Sequence, residues 1–418
     1  MSRAPLRVAV LGAGTVGREV IRVLLDHPER LCAVDGAPLV LGGVACRDLE
    51  RARRAGIPAD LLTDAPAHLV ADPDTDVIVE LLGGDEPART LIAAALSAGK
   101  PVVTANKHVV AHHGPALESI ARRAAVALRF EAAVGGGIPV LGPLATDLAA
   151  NAVSRVRGIV NGTTNYILTA MAAGSGSYRE VLADAQRRGY AEADPRGDVE
   201  GDDAANKLVI LARLAFGRWL DPAGVERVPA TTLGAGSPGI TGVTERELGA
   251  AAALGLTVRL LASARRSGDD VEATVLPTAV PAGGSFGSTT GITNRIEIDA
   301  EPVGTLGLSG PGAGGAATSS AVLGDLVAIG RGLSSTWAGL APAPAWTTAV
   351  AQGVEPRAWF ACVAGPPRET IVAAGVTVVA VDGGIAIRTP AMAFDAAREI
   401  VRSFLEPGAQ VTMYPIDD

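Results

Sequence analysis

Short apolar runs closed by glycine-rich turns alternate with helical apolar spacing along the first third of the chain. Leu6 to Leu11 has the pattern of a buried strand, and Gly12-Ala13-Gly14-Thr15-Val16-Gly17 follows at once. Residues 18–26 then carry apolar side chains at helical spacing. Residues 39–45, 77–82 and 101–104 read as further buried strands, and 91–98 as a helix closed by Gly99. This β-α-β-α-β alternation predicts an α/β fold with a doubly wound parallel sheet of the Rossmann type, whose ligands lie at the carboxyl ends of its strands.

Further along, the period changes. Residues 156–159, 258–261 and 271–276 read as strands of a mixed sheet in an α+β unit. Asn161-Gly162 marks a turn, and Thr163, Thr164 and Asn165 are suitable caps for a helix over 166–172. A glycine-rich segment at Gly310-Pro311-Gly312-Ala313-Gly314-Gly315 precedes a helical run over 317–329. Residues 334–352, rich in Ala and Pro, have the composition of a linker. Beyond them 358–364, 376–382, 385–389 and 409–413 read as strands and 393–404 as a helix, a small α+β tail. Only Gly365 to Gly375 separates its first two strands, so a helix there must be short or missing.

Composition narrows the class. A chain of 418 residues is long enough for two or three domains. Hydrophobic residues make up 48% and aromatics only 3%, so the core is built from Ala, Val, Leu and Ile. A formal charge of −8 offers nucleic acid no general attraction. No apolar run approaches the roughly 20 residues of a membrane span. The first residues lead straight into a strand with no secretory cleavage pattern. Cys32, Cys46 and Cys362 lack metal-ligand spacing and fit reduced thiols in the cytoplasm.

The first glycine segment has a specific chemistry in its strand-turn-helix setting. Gly12 permits the tight turn, Gly14 lets a pyrophosphate approach the backbone, and Gly17 allows close helix–strand packing. Thr15 and Val16, between the second and third glycines, lie just ahead of the helix whose N-terminus receives the anion. At the end of the second strand Arg47 suits a 2′-phosphate and tilts the reading toward NADP, while the adjacent Asp48 keeps NAD open. Gly83 and Lys107 fall at strand ends that face the same crevice. Glu131 followed by Gly135-Gly136-Gly137-Ile138-Pro139 is either an ordinary constrained turn or a loop whose carbonyls serve a hard cation. The stretch 189–207, G-Y-A-E-A-D-P-R-G-D-V-E-G-D-D-A-A-N-K, gathers acids ahead of Lys207. Asp203 and Lys207 are four apart and share a helix face. The plain alternative is a solvated turn with a surface ion pair.

Together these segments resemble homoserine dehydrogenase over most of the first 330 residues. The matching pieces are G-A-G-T-V-G, V-V-T-A-N-K, E-A-A-V-G-G-G-I-P, G-I-V-N-G-T-T-N-Y-I, the acidic stretch through Leu208, and G-P-G-A-G-G-A-A-T-S-S-A-V, in the family's order. The resemblance implies reversible hydride transfer between a nicotinamide cofactor and the homoserine/aspartate-semialdehyde pair. It implies Lys207 as proton donor, Lys107 near nicotinamide and substrate, and Asp203 as the group orienting Lys207. Glu192 and Asp198 match carboxylates near the substrate, with Glu192 placed for its α-ammonium group; apart from the resemblance, the polar run that includes Asn161 and Thr163 reads either as a capped turn or as the lining of a substrate pocket. Glu131, Val134, Gly136 and Ile138 match a monovalent-cation (Na or K) site, the first by side chain and the others by carbonyl. Gly312 would touch cofactor, so residues near 310–335 would rejoin the nucleotide domain of residues 1–130. That leaves 131–309 for catalysis and dimerisation, 336–354 as linker, and 355–418 as a shortened ACT-like module. A homodimer or dimer of dimers is implied. Two neighbouring ammonium groups are expected to lower each other's pKa. A reductase of another α-amino aldehyde and a regulator that only binds cofactor are the competing readings.

Overall fold

The structure, a computed structural model, describes residues 4–31, 36–228, 236–343, 345–350, 356–365, 375–405 and 409–418. Its first layer is a six-stranded sheet of β1 (Leu6–Leu11), β2 (Leu39–Ala45), β3 (Leu62–Thr63), β4 (Val77–Glu80), β5 (Val102–Thr104) and β6 (Leu128–Arg129). The spatial order is β3-β2-β1-β4-β5-β6 with every pair parallel. All of β4 and β5 is buried, as a parallel sheet covered on both faces requires. The helices are α1 (Thr15–Asp26), α2 (Leu49–Arg54), α3 (Pro66–Ala71), α4 (Ala88–Ser97) and α5 (Lys107–Ala124). Helix α1 starts three residues earlier than its apolar spacing suggests, because Gly14 already takes the N-cap place.

The second unit opens with α6 (Leu141–Ala145), β7 (Ala152–Ile159), α7 (Gly162–Ala172), α8 (Tyr178–Arg187), α9 (Arg196–Val199), α10 (Asp202–Phe216) and β8 (Trp219–Leu220). It continues through α11 (Glu245–Ala253), β9 (Leu256–Ser267), β10 (Asp270–Pro281), β11 (Thr293–Glu301) and β12 (Gly304–Pro311). Its main sheet runs β10-β9-β7-β11-β12 with antiparallel neighbours. Parallel bridges at the β10 edge, such as Glu272 to Val350 and Ala279 to Ile416, make it mixed. Helices α7 and α10 pack on one face of this sheet. Helix α7 begins a turn before its predicted start. Asn161, in extended backbone, is its cap and accepts from Thr164 N at 2.9 Å, so Thr163, Thr164 and Asn165 lie inside the first turn.

Helix α12 (Gly315–Gly330) returns to pack on α1 of the first layer. Gly315 permits this approach, since a Cβ there would meet the Thr15 methyl at 3.0 Å. Buried Asp325 accepts from Arg129 Nε at 2.7 Å and from Glu131 N at 2.8 Å, tying α12 to the chain leaving β6. The Ala- and Pro-rich segment that follows is held along its start. Ser335 and Thr336 hydroxyls accept from Leu128 N and Phe130 N, and buried Trp337 packs on Phe130. Further on, β13 (Trp346–Thr347) pairs with β8.

The tail is a four-stranded antiparallel sheet of β14 (Trp359–Ala364), β15 (Thr377–Val381), β16 (Gly384–Arg388) and β17 (Val411–Pro415), in order β15-β16-β14-β17. Helix α13 (Phe394–Ser403) covers one face. The other face meets α11, where Tyr414 donates to Glu247 at 3.0 Å. The expected shortening of a first tail helix falls on 366–374, outside the described residues, as does Cys32.

Helices α5 and α10 run side by side in the same direction, and a buried ion cluster locks them. Glu118 of α5 accepts from Arg213 of α10 through Nε at 3.0 Å and Nη2 at 2.7 Å. It also accepts from Trp219 Nε1 at 2.7 Å and Arg122 Nε at 2.8 Å. Arg213 is 0% exposed and sends a further bond to Ala341 O. Burial opposes ionisation of Glu118, but its hydrogen bonds and the Arg213 charge hold its carboxyl below the usual range. Gly114 makes room for the Trp219 ring, which a Cβ would meet at 2.5 Å. Glu118→Ala should therefore destabilise the protein by about 3–5 kcal/mol, because it strands a buried guanidinium. Scanning calorimetry should show a lowered unfolding midpoint, and Glu118→Met combined with Arg213→Met should lose less than Glu118→Ala alone.

Candidate active site

The acidic stretch feeds α10 into the centre of the second unit, so Asp203 lies in its first turn and Lys207 one turn on. Both side chains are only 10% exposed, which excludes the solvated-turn alternative. Lys207 Nζ donates to Asp203 Oδ2 at 2.7 Å and to Val160 O at 2.6 Å. Lys107, first residue of α5, reaches the other oxygen, Asp203 Oδ1, at 3.0 Å. Asn161 Nδ2 donates to Asp203 Oδ2 at 2.8 Å and to Asp198 Oδ1 at 2.7 Å. The nucleotide sheet contributes Lys107 and the second unit contributes the rest, so the cluster exists only where the two meet.

Electrostatics corrects one expectation. Burial pushes the Asp203 carboxyl up, but the charges of Lys207 and Lys107 overwhelm that and hold it far below the usual range. The Lys107 ammonium moves up rather than down, chiefly through the Asp203 charge, with Asp198 and Glu192 adding to it. The mutual lowering expected of two neighbouring ammonium groups is thus reversed at Lys107, because a carboxylate stands between them. Asp198 moves up, through burial and then the Asp203 charge.

On the nucleotide side, the glycine geometry is that of an anion-binding turn. Gly12 has φ +112°, and a Cβ there would meet Leu81 O at 2.5 Å. A Cβ on Gly17 would overlap Gly12 O, whereas Gly14 faces open space. Thr15 and Val16 form the first turn of α1 beside it. A cleft of about 230 Å³ opens there, lined by Gly14, Arg18, Arg47, Asp48 and Arg51 among others. The Asp48 carboxylate accepts from Arg51 N at 2.9 Å as the N-cap of α2. A second cleft of about 530 Å³ shares Arg47 and Leu82 and extends to Gly83 and Gly84.

The remaining predicted residues fall around this centre. Glu192 is exposed at the lip and close enough to Lys107 to act on its charge. Thr163 is buried and spends its hydroxyl proton on Tyr190 O at 2.6 Å, bracing the start of the acidic loop. Gly312 lies against Asn294 and Gly136: a Cβ on Gly312 would overlap the Asn294 amide, and one on Gly136 would meet Gly312 C at 2.6 Å. Glu131 accepts from Val140 N, Leu141 N and Gly142 N at 2.7, 2.9 and 2.6 Å. Burial pushes its carboxyl up. Among the described residues, no three His, Cys, Asp or Glu side chains gather in a way that could hold a metal ion.

Sequence reasoning passed over Arg18 and Arg51, which line the first cleft, and Glu80, Thr104 and Asn106, which are buried beside the Leu82–Gly84 turn. Asn106 carried a legible signal as a cap residue just before Lys107, and it does accept from Val109 N at 3.2 Å. Glu80 carried another, an acid ending an otherwise apolar strand.

A dinucleotide crevice in one unit and a lysine–aspartate–lysine cluster where the two units meet define a nicotinamide-dependent oxidoreductase. Residues 12–131 match the family model described as homoserine dehydrogenase, NAD binding domain, and residues 139–327 the one described as homoserine dehydrogenase. The chain belongs to the homoserine dehydrogenase family. It is 47% identical over 332 residues to the homoserine dehydrogenase of Mycobacterium tuberculosis, covering 78% of this chain and 73% of that one. To that of Corynebacterium glutamicum it is 43% identical over 329 residues, covering 78% and 72%. A crystal structure of a homoserine dehydrogenase from Thiobacillus denitrificans superposes with TM-score 0.86 at 31% identity, covering 100% of this chain and 99% of that one. The reaction is the NAD(P)-dependent interconversion of L-homoserine and L-aspartate 4-semialdehyde, a step of threonine and methionine biosynthesis.

Proposed function

We propose that Lys207 moves the proton in this reaction while Asp203 and Lys107 hold the reacting group in place. The observation that carries this reading is that Lys207 is buried and, among the described residues, donates to two protein acceptors, Asp203 Oδ2 and Val160 O. An ammonium has three donors, so one remains for a substrate oxygen. When bound, the nicotinamide cofactor supplies hydride for reduction and accepts it in oxidation. In reduction, Lys207 gives a proton to the aldehyde oxygen as charge develops there; in oxidation it takes the hydroxyl proton. Asp203 keeps its charge throughout and holds the Lys207 side chain in place. Lys107, more open at 42% exposed, adds positive charge at the mouth. Glu192 at the lip receives the substrate's α-ammonium group, with Asp198 behind it, and Asn161 and Thr163 fix the loops that present them.

Lys207→Ala should lower turnover by about three orders of magnitude, the scale of a lost general acid, with cofactor affinity nearly unchanged. Absorbance at the nicotinamide band with homoserine gives turnover, and cofactor titration gives affinity. Equal loss of both would make Lys207 structural.

NADP is the cofactor this crevice suits better, although NAD has the same turn. Arg18, Arg47 and Arg51 border one cleft beside Asp48, so guanidinium groups outnumber carboxylates there. Gly12, Gly14, Thr15, Val16, Gly17, Gly83 and Gly312 would frame the dinucleotide. Arg47→Ala should raise the KM for NADP about tenfold, the worth of one charged hydrogen bond. The KM for NAD should change far less, and an unaltered NADP/NAD ratio would remove Arg47 from the phosphate site.

The loop from Glu131 fits a monovalent cation, Na or K, by its donor set: one carboxylate beside the carbonyls of Val134, Gly136 and Ile138. Glu131 Oε2 accepts one backbone bond, which leaves it a lone pair. Exchanging the alkali salt for tetramethylammonium at equal ionic strength should lower the thermal midpoint by a few degrees, whereas an unchanged midpoint would exclude the site. The main sheet's outer face is read as the contact for a second copy, giving a homodimer or dimer of dimers that sedimentation would reveal. No helix among the described residues is long and apolar enough to cross a membrane, and a cytoplasmic location fits the free thiols of Cys46 and Cys362. The tail is read as a shortened ACT-like module with a packing role.

A further inference from the structure

Glu80 ends β4 and is 0% exposed. Its backbone pairs with Leu11, which precedes Gly12, and with Thr104, which ends β5. The partners of its carboxylate are all donors. Leu82 N reaches Oε1 at 2.7 Å and the Thr104 hydroxyl reaches Oε2 at 2.6 Å. Gly83 N–H and the Asn106 amide also favour its charged form against burial, which pushes the carboxyl up. The Thr104 oxygen accepts from Asn106 N at 2.9 Å, so its single proton is committed to Glu80. Asn106 Nδ2 donates to Gly84 O at 2.8 Å, and its Oδ1 caps α5, whose first residue is Lys107. One unbroken hydrogen-bond chain therefore joins the Leu82–Gly84 turn, through Glu80, Thr104 and Asn106, to the first turn of α5, which starts at Lys107.

We infer that Glu80 is a positioning residue for hydride transfer: as an acceptor-only carboxylate it locks the cofactor turn at Leu82–Gly84 and the α5 start that carries Lys107 into one register. A neutral amide cannot replace it. Its NH₂ would face either Leu82 N–H, donor against donor, or the Thr104 oxygen, which could accept it only by turning its own proton away from Glu80's place and leaving that proton without its acceptor. Cofactor and Lys107 are then placed by the same group, and slack in it misplaces both. The inference rests on the reading of Lys107 and the glycine turns as the walls of the cofactor crevice.

The test compares Glu80→Gln, Thr104→Val and Thr104→Ser in the full chain, measuring kcat, the KM values for NADP and homoserine, and the thermal midpoint. Glu80→Gln and Thr104→Val should each raise the NADP KM and lower kcat by about tenfold, the scale of a sub-ångström misplacement. The homoserine KM should rise less than the NADP KM, since of the substrate-side groups only Lys107 is displaced and Asp198 and Asn161 keep their bonds. Thr104→Ser keeps the hydroxyl and should recover most of what Thr104→Val loses. Wild-type kinetics in Glu80→Gln would overturn the inference, as would equal behaviour of Thr104→Val and Thr104→Ser. So would activity lost only in proportion to a fallen midpoint. Should Glu80→Gln fail to fold, the two threonine variants still decide. Full turnover in Lys207→Ala would instead sink the reading of the catalytic centre, a separate failure.

Discussion

A carboxylate largely withdrawn from water, with an ammonium group on each oxygen, is the interaction on which this enzyme's chemistry depends. Alone, a buried Asp203 would cost several kcal/mol of lost hydration. Lys207 at 2.7 Å, Lys107 at 3.0 Å and the Asn161 amide at 2.8 Å offset that, and the first turn of α10 adds its favourable dipole. The arrangement orders the site before substrate arrives. Asp203 cannot readily take a proton, because the two ammonium groups hold its carboxyl far below the usual range. It also makes the site a joint product of two domains, since neither supplies a compensated charge by itself.

That joint has to be rigid, and the packing of α5 against α10 makes it so. Lys107 meets Asp203 at one end of the pair, His112 meets Asn206 at 3.0 Å in the middle, and Glu118 meets Arg213 at the other. At about 1.5 Å per residue, the two ion clusters stand roughly 15 Å apart along parallel axes. A rotation of one domain on the other would strain both at once. The strap after α12 closes the same seam, because the carbonyls of Leu340 and Ala341 accept from Arg122 and Arg213. The tail joins farther away, through Asp417 to Arg155 and Arg157 on β7, the strand that leads to Val160 and Asn161.

The cofactor side obeys a different constraint, backbone proximity rather than charge. Gly12 and Gly17 are glycines because Leu81 O and Gly12 O stand where a side chain would be. Gly14 is a glycine with nothing in contact, the space a phosphate would use. The two constraints meet at Glu80 and Asn106, beneath the turn on one side and beside Lys107 on the other.

Much of this was legible from residue order. The apolar runs located β1, β2, β4 and β5 of the parallel sheet to within two residues, because a strand buried on both faces leaves few places for a polar side chain, but they did not announce the two-residue edge strands β3 and β6. The spacing of Gly12, Gly14 and Gly17 announced the turn, and the i, i+4 relation of Asp203 and Lys207 put them on one helix face, because both signals are local. Residue order was silent where partners come from distant segments. It could not show that α10 is buried, that Lys107 shares Asp203 with Lys207, or that this raises rather than lowers the Lys107 pKa. Nor could composition show that an Ala- and Pro-rich stretch lies fastened along the domain seam. Backbone conformation follows from neighbours a few residues away, whereas burial and the field at an ionisable group are set by whatever the folded chain brings within a few ångströms, and that only tertiary packing decided.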